Sequence, residues 1–482
     1  MPSHGRCPEQ PRRARPVVWS AVPGPTRPVV LLSNRGPLTF TAGDDGQLSA
    51  KRGAGGLVSG LTSLFAGSVD DLWIAAAMTD GDRAAARQGV VDADDLRVRL
   101  LELDAEAYRA AYDVVCNATL WFAHHGLFDA ARRPRHDRRW AAAWAAYRQI
   151  NGAFADAVAE SAPEGAAVLV QDYHLCLVAP ALRAARPDLR LVHFSHTPFA
   201  SPEWLRMVPD AAAEELLHGM AAHHACTFHT RRWAAAFEAC CSAYGVAAPT
   251  TGVSPLAADA EDLAGIAGSD ACATATADLV ELLGDRQLIV RVDRVELSKN
   301  LLRGFHAYDL LLEEHPELRE RVVLAALVYP SREGLPEYLA YRQEVETLIG
   351  LLNRKWATPG WDPIVYDPSD DFPRSVAALR RSDVLLVNPI RDGLNLVAKE
   401  GPILNDHDGV LVLSTEAGAW DELGGAGALG VNPFDVVATA DALHAALTMP
   451  AAERPTRAAS LRAAAGARTP ADWLTDQRTL AG

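Results

Sequence analysis

The chain has 482 residues, 22% charged and 49% hydrophobic, the balance of a globular enzyme and too long for one hydrophobic core, so two domains are expected. A formal charge of −15 argues against a nucleic-acid partner, which calls for clustered Lys and Arg, although a local cationic pocket can still take a phosphorylated small molecule. No apolar run reaches the ~20 residues of a membrane span and the first residues lack signal-peptide character, so the expected location is cytoplasmic, away from membranes.

In chain order, residues 1–27 are rich in Pro and Arg without hydrophobic periodicity, and read as a disordered leader. From residue 28, apolar β-branched runs alternate with Ala- and Leu-rich helical stretches; the clearest runs are 28–33, 166–170, 189–195, 287–292, 321–328, 383–389 and 409–414. Unalternating apolar strands between helices indicate parallel sheets covered on both faces, hence a doubly wound α/β architecture. The Ala-, Asp- and Thr-rich stretch 254–284 reads as less ordered, with the interdomain linker at about 252–260. The expected organisation is one domain over 28–255, a second over 256–465, and a terminal helix over 466–482 that packs back on the first domain.

In open parallel sheets, ligands bind beyond the carboxyl ends of the strands. There the sequence places Asn34 and Arg35, Asp172 and His174, His196, Arg294 and Lys299, Ser331 and Arg332, and Asp392 with Gly393. A single Asp or His in such a place also serves as a turn former or helix cap; the joint placement suggests two facing crevices around a ligand. Arg294 and Lys299 suit a leaving diphosphate, since Arg grips it bidentately and Lys supplies a point charge, but a solvated loop pair fits equally well. Gly53 to Gly56 precede a helical stretch and offer either amides for an anion or a plain turn. The run 391–400 is expected to pass from a strand end into a helix, with Asp392 and the amides of Gly393 to Asn395 at its N-terminus.

Metal signals are weak. Asp92, Ala93 and Asp94 have the DxD form, but in an acidic solvated stretch; His223, His224 and Cys226 have no companion cluster with ligand spacing. The seven cysteines include no CxxC pair and fit reduced thiols. No metal and no cofactor are expected.

Several motifs are long enough to be specific: SNRGPL (33–38), GAGGLVSGL (53–61), NATLW (117–121), QDYHL (171–175), HTPF (196–199), SREG (331–334), RDGLNLVAKE (391–400) and LSTEAGAWDELGG (413–425). In that order they resemble the trehalose-6-phosphate synthases, retaining glycosyltransferases of the GT-B architecture, from about residue 28 to the C-terminus. The resemblance implies two Rossmann-like domains facing a central cleft. It implies that Arg35, Tyr112, Trp121 and Arg332 hold the phosphate of a sugar-phosphate acceptor and that Asp172 contacts its ring. On the donor side it implies a diphosphate pair in Arg294 and Lys299 beside Gly56, ring contacts from His196 and Asp392, diphosphate contacts near Gly393, Leu394, Asn395 and Leu396, and a ribose contact in Glu400. Arg294, Lys299, His196 and Asp172 are the implied catalytic set. The partners implied are small molecules, a nucleoside-diphosphate donor and a phosphorylated acceptor; self-association is left open.

The family pattern is broken in four places. Trp-x-Gly-Trp reads Trp73, Ile74, Ala75, Ala76; His-Ile-Pro-Phe-Pro reads His196, Thr197, Pro198, Phe199, Ala200; Arg-Leu-Asp-Tyr-x-Lys-Gly reads Arg294, Val295, Glu296, Leu297, Ser298, Lys299, Asn300; and Gly401, Pro402 stand in place of Tyr-Val. Kept phosphate grips with altered neighbours suggest altered rings. The expected reaction is therefore C–N coupling of GDP-valienol to validamine 7-phosphate with retention, giving validoxylamine A 7′-phosphate and GDP, as in a pseudo-glycosyltransferase branch. The alternatives are synthesis of trehalose 6-phosphate or a related glycosyl phosphate from UDP- or GDP-glucose and glucose 6-phosphate, and an inactive sugar-phosphate-binding regulator.

Overall fold

The computed structural model describes residues 27–43, 47–52, 61, 62, 64, 65, 68 and 70–482. The leader before residue 27 and the glycine run Gly53 to Gly56 lie outside the described residues. Unbroken apolar runs make central strands because both of their faces must be covered. β1 (Val29–Ser33) and β7 (Ala167–Gln171) are buried at every position. Alternate residues go to opposite faces: Val29 and Leu31 join one apolar cluster, Val30 and Leu32 another.

The first sheet has eight strands. With β4 (Leu72–Ala76), β5 (Val90–Ala93), β6 (Leu96–Leu101), β8 (Arg190–Ser195), β9 (Ala225–Phe228) and β10 (Thr250–Val253), its order is β10-β9-β8-β7-β1-β4-β6-β5. Only β5 runs antiparallel, against β6. β2 (Leu38–Ala42) and β3 (Leu48–Arg52) form a separate antiparallel hairpin. The second sheet is parallel throughout, with β11 (Gln287–Val295), β12 (Val322–Pro330), β13 (Ile364–Asp367), β14 (Val384–Val387), β15 (Val410–Ser414) and β16 (Leu429–Val431) in the order β13-β12-β11-β14-β15-β16. The doubly wound α/β expectation therefore holds.

One expectation needs correction. The stretch expected to be loosely ordered holds two capped helices, Ala260–Ala267 behind Asp259 and Asp270–Leu283 behind Ser269. A side-chain oxygen on the first free amides starts each helix, although its alanines and threonines show little apolar patterning. Asp92 and Asp94, the DxD candidate, lie on and just beyond edge strand β5, where Asp92 meets Arg97 at 3.5 Å. The last helix, Pro470–Ala481, starts at a Thr469/Asp472 capping box. It lies on the first sheet: Trp473 meets Phe194 edge-on at 5.1 Å, and Gln477 accepts a hydrogen bond from Thr227 at 2.9 Å.

The first sheet and its helices enclose five buried imidazoles, His124, His125, His193, His223 and His229. Burial pulls His124 and His229 down to about 3, His125 and His223 to about 4, and His193 well below the ordinary 6.5. All five are neutral in the fold, and each takes up a proton below about pH 6.5 once the chain unfolds. Burial also raises the carboxyls of Asp172 to about 6 and Glu400 to about 7, which acts in the opposite sense. Near pH 5 the unfolded chain therefore binds more protons than the fold, and stability falls as the pH drops. The melting temperature is expected to hold near neutrality and to fall steeply from about pH 6.5 downward; a flat profile between pH 7 and pH 5 in calorimetry would contradict this.

Candidate functional site

The carboxyl ends of β11, β12 and β14 meet those of β1, β7 and β8 across a cleft. After β11 the chain turns tightly, with Glu296 N donating to Arg294 O at 2.8 Å and Lys299 N to Glu296 O at 3.0 Å. This turn holds Arg294, Glu296 and Lys299 together. Lys299 Nζ lies 2.8 Å from Asp392 Oδ2 and 3.6 Å from Asp293 Oδ1. Burial by itself would lower the ammonium and raise the Asp392 carboxyl, but their attraction wins: Lys299 is raised and Asp392 lowered, so both are charged. The next residue, Asn300, sits at φ 60°, a left-handed conformation that Asn tolerates where the family pattern has Gly. Its amide donates to Asn388 O at 3.0 Å and Pro433 O at 2.7 Å, pinning the turn to the sheet.

Arg332, after β12, reaches across the cleft. Its guanidinium stacks 3.8 Å over the Trp121 ring and donates to Asn117 Oδ1 at 2.9 Å and Glu296 Oε1 at 2.7 Å. Asn117 and Tyr112 lie on a π-helical stretch, Ala110–Leu120, that runs straight into the helix Trp121–His125. Such winding recurs at functional sites because it re-aims side chains. Tyr112 is stacked between Tyr108 and His174, and Arg35 lies close enough to hold the His174 imidazole further down after burial has lowered it. Trp121 Nε1 and Asn117 Nδ2 are buried donors without partners among the described residues. Unpaired buried donors cost free energy unless a ligand takes them up.

Asp172 follows β7 with φ 67°, outside the usual range for a non-glycine residue. Its Oδ1 accepts from His196 N at 3.1 Å and Thr197 N at 3.4 Å. Gln171 fixes the His196 ring: its amide donates to Leu169 O, so its Oε1 accepts from His196 Nε2 at 2.9 Å. Burial keeps His196 neutral, which leaves Nδ1 as an acceptor.

The run 391–400 differs from expectation. Its helix begins only at Val397, with Leu396 as N-cap, and the chain first bends through Asn395 at φ 77°. The amides of Gly393 to Asn395 therefore line a loop rather than a helix terminus. Leu394 is buried in the apolar core, so its side chain faces away from the cleft. Asn395 donates to Asp392 at 3.2 Å, and Glu400 stands in the first turn of the helix. Gly393 sits hard against the first domain, where a Cβ would fall inside the His196 carbonyl, while its own oxygen accepts from Trp233 Nε1 at 3.0 Å.

The sequence-derived residues thus gather around one cleft, apart from Leu394, whose side chain joins the core, and Gly56, which lies outside the described residues. Glu296, Asn117 and Gln171 were not singled out as site residues. Their marks in the sequence were the motifs that Asn117 and Gln171 open, NATLW and QDYHL, and the substitution at 296. Among the described residues, one His/Glu cluster has metal-like spacing, His315, Glu317 and His444. The two imidazoles stack face to face at 3.6 Å, so their in-plane lone pairs do not converge on one ion. The His223 group is used internally, His223 Nδ1 bonding Met220 O at 3.0 Å.

The glycosyltransferase family 20 model matches residues 27–480. The chain belongs to that family. It is 31% identical to the bifunctional trehalose-6-phosphate synthase/phosphatase of Thermoproteus tenax over 93% of its own length, and spans 62% of that longer relative. Among solved structures it is similar to trehalose-6-phosphate from E. coli bound with UDP-2-fluoro glucose (29% identity, TM-score 0.80, 93% of this chain and 98% of the other). It is also similar to an alpha,alpha-trehalose-phosphate synthase from Burkholderia xenovorans in complex with glucose-6-phosphate (28%, TM-score 0.80, 94% and 100%). The fold of this family 20 chain is GT-B.

Close backbone approach at Gly393 yields a direct expectation. Gly393→Ala must push the Asp392 segment away from His196, so turnover should fall by about 10²-fold or more while the melting temperature shifts by only a few degrees. Full activity in a steady-state assay would contradict the contact.

Proposed function

We propose that the chain transfers a glycosyl group, with retention, from a nucleoside-diphosphate sugar to a sugar phosphate, in the manner of trehalose-6-phosphate synthesis. The observation that carries this reading is the pair of cation sets: Arg294 at the end of β11 with Lys299 in the turn after it, and Arg332 after β12 facing the unpaired Trp121 and Asn117 donors. One set suits a diphosphate, the other a phosphate monoester. In this reading Arg294 and Lys299 neutralise the charge that grows on the leaving diphosphate, and Asp392 orients Lys299 and a donor hydroxyl. Arg35, Tyr112, Trp121 and Arg332 hold the acceptor phosphate, and Asp172 accepts from an acceptor hydroxyl. The departing phosphate then takes the acceptor's proton on the face it leaves, so the protein's part is positioning and electrostatics.

C–N coupling of GDP-valienol to validamine 7-phosphate is the second reading. It draws on the broken family motifs, but several of those changes face the core. Gly401 packs against Leu385 of β14, Pro402 is buried in its helix, and Ala75 and Ala76 lie within fully buried β4. These are changes of packing and weigh little on the identity of the rings. A silent regulator is disfavoured by the kept set of Arg294, Lys299, His196 and Asp392, which a module that only binds a sugar phosphate does not need.

Purified protein incubated with UDP- or GDP-glucose and glucose 6-phosphate is expected to form a trehalose 6-phosphate-type product. Product only from GDP-valienol and validamine 7-phosphate would overturn the first reading in favour of the second. Lys299→Ala should cost on the order of 10²-fold or more in kcat; a near-normal rate would show that the diphosphate lies elsewhere.

A pH effect follows from Glu400, whose carboxyl burial pushes up to about 7. Above that value it is ionised and accepts from ribose hydroxyls; below it the proton removes an acceptor. The donor KM should therefore rise as pH falls through about 7, and Glu400→Gln should flatten that profile. An unchanged slope in the variant would remove Glu400 from the donor site.

A further inference from the structure

Glu296 is fully buried, and its single oxygen Oε1 lies 2.8 Å from Arg294 Nη1 and 2.7 Å from Arg332 Nη1 while accepting from Ser331 Oγ at 3.0 Å. Nothing else among the described ion pairs links those two arginines. We infer that Glu296 is a positioning residue shared by both substrate sites, one carboxylate that holds the donor-diphosphate arginine and the acceptor-phosphate arginine at a fixed separation. The inference rests on the assignment of Arg294 to the donor and Arg332 to the acceptor.

The physical case has three parts. Two guanidinium groups this near repel, and a common anion between them removes that cost. The carboxylate is held ionised: burial alone would raise it, and Arg294, Arg332 and Lys299 together outweigh burial and keep it lowered. Its second oxygen, Oε2, is buried and has no hydrogen-bond partner among the described residues. That spare acceptor lets either arginine keep one contact with Glu296 when a substrate phosphate draws its other N–H groups away. The backbone of the same residue closes the turn that sets Arg294 and Lys299, so side chain and main chain act on one geometry. The family pattern has an aspartate here; the extra methylene of Glu296 lets the carboxylate span both cations from the β11 turn.

A residue that merely supports the fold would change stability or kcat without moving two Michaelis constants in parallel. Glu296→Ala is expected to raise the KM of the donor and the KM of the acceptor together, each by about tenfold, as loss of a charge-assisted contact to each arginine implies. Glu296→Gln keeps an oxygen acceptor in the same shape and should show the same double rise at smaller size; it also serves as the test if the alanine variant does not fold. Arg294→Ala should raise chiefly the donor constant and Arg332→Ala chiefly the acceptor constant. If those two variants do not divide in that way, the assignment of the two sites fails. If they do, and a folded Glu296 variant moves one constant only or neither, the inference fails by itself.

Discussion

The buried charge cluster around Lys299 is the constraint from which the rest of the site follows. Arg291 and Lys299 pair with Asp293 and Asp392, and Arg294 and Arg332 pair with Glu296, in two neighbouring sets of ion pairs around the β11 turn. Four cations against three carboxylates leave an excess of positive charge in a chain whose formal charge is −15. Taking so many charges from water costs several kcal/mol per ion, and the attraction between them recovers that only when each is well paired. The cluster is thus nearly balanced and tips toward whatever anion enters. Under the proposed function a substrate phosphate completes it, a local balance that the net charge of the chain does not reveal.

Arg291 shows how deep this constraint runs. It is fully buried in the middle of β11, where an apolar residue would be expected, and its guanidinium pairs with Asp293 at 3.1 Å and donates to Lys299 O. Burial raises the Asp293 carboxyl, and Arg291 and Lys299 pull against that rise. The same guanidinium leaves little room beside the helix Leu301–Glu314: a Cβ at Gly304 would run into it. The strand core is therefore arranged around a cation whose task is to hold the Lys299 loop. Packing and electrostatics are one design here, because moving the helix would also move the loop that faces the leaving group.

How much of this was legible in the sequence depended on what each residue faces. Strands buried on both sides, such as β1, β7 and β15, appear as unbroken apolar runs, and the residues after them form the cleft. β5 alternates between exposed and half-buried positions and β6 between buried and half-buried ones, and the helices Ala260–Ala267 and Asp270–Leu283 bury few residues, so neither pair gives an apolar run. The strand-end rule found Arg294, Lys299, Arg332 and Asp392 because a parallel sheet places such residues together regardless of side-chain detail. It passed over Glu296 and Asn117, whose importance lies in partners 36 and 215 residues away along the chain. No local pattern encodes such pairings.

The broken motifs carry the same lesson in reverse. A change from the family pattern alters substrate choice only where the side chain, or the backbone it shapes, meets the cleft. Gly401 fails that condition, facing Leu385 of β14, as does Pro402, buried in its helix, and Ala75 lies close under Gly36, where an added Cβ would come within 3.3 Å of it. Thr197 and Glu296 meet it: the Thr197 amide bonds to Asp172, and Glu296 ties the two arginines. Asn300 is intermediate, since it keeps the left-handed turn and adds two hydrogen bonds to the sheet. Sorted in this way, most of the departures stiffen or repack the donor half, and few touch the space where a ring would lie. Under the proposed function, chemistry on this scaffold is set by where the phosphates are gripped, and the side chains proposed for those grips, Arg294, Lys299 and Arg332, stand close together.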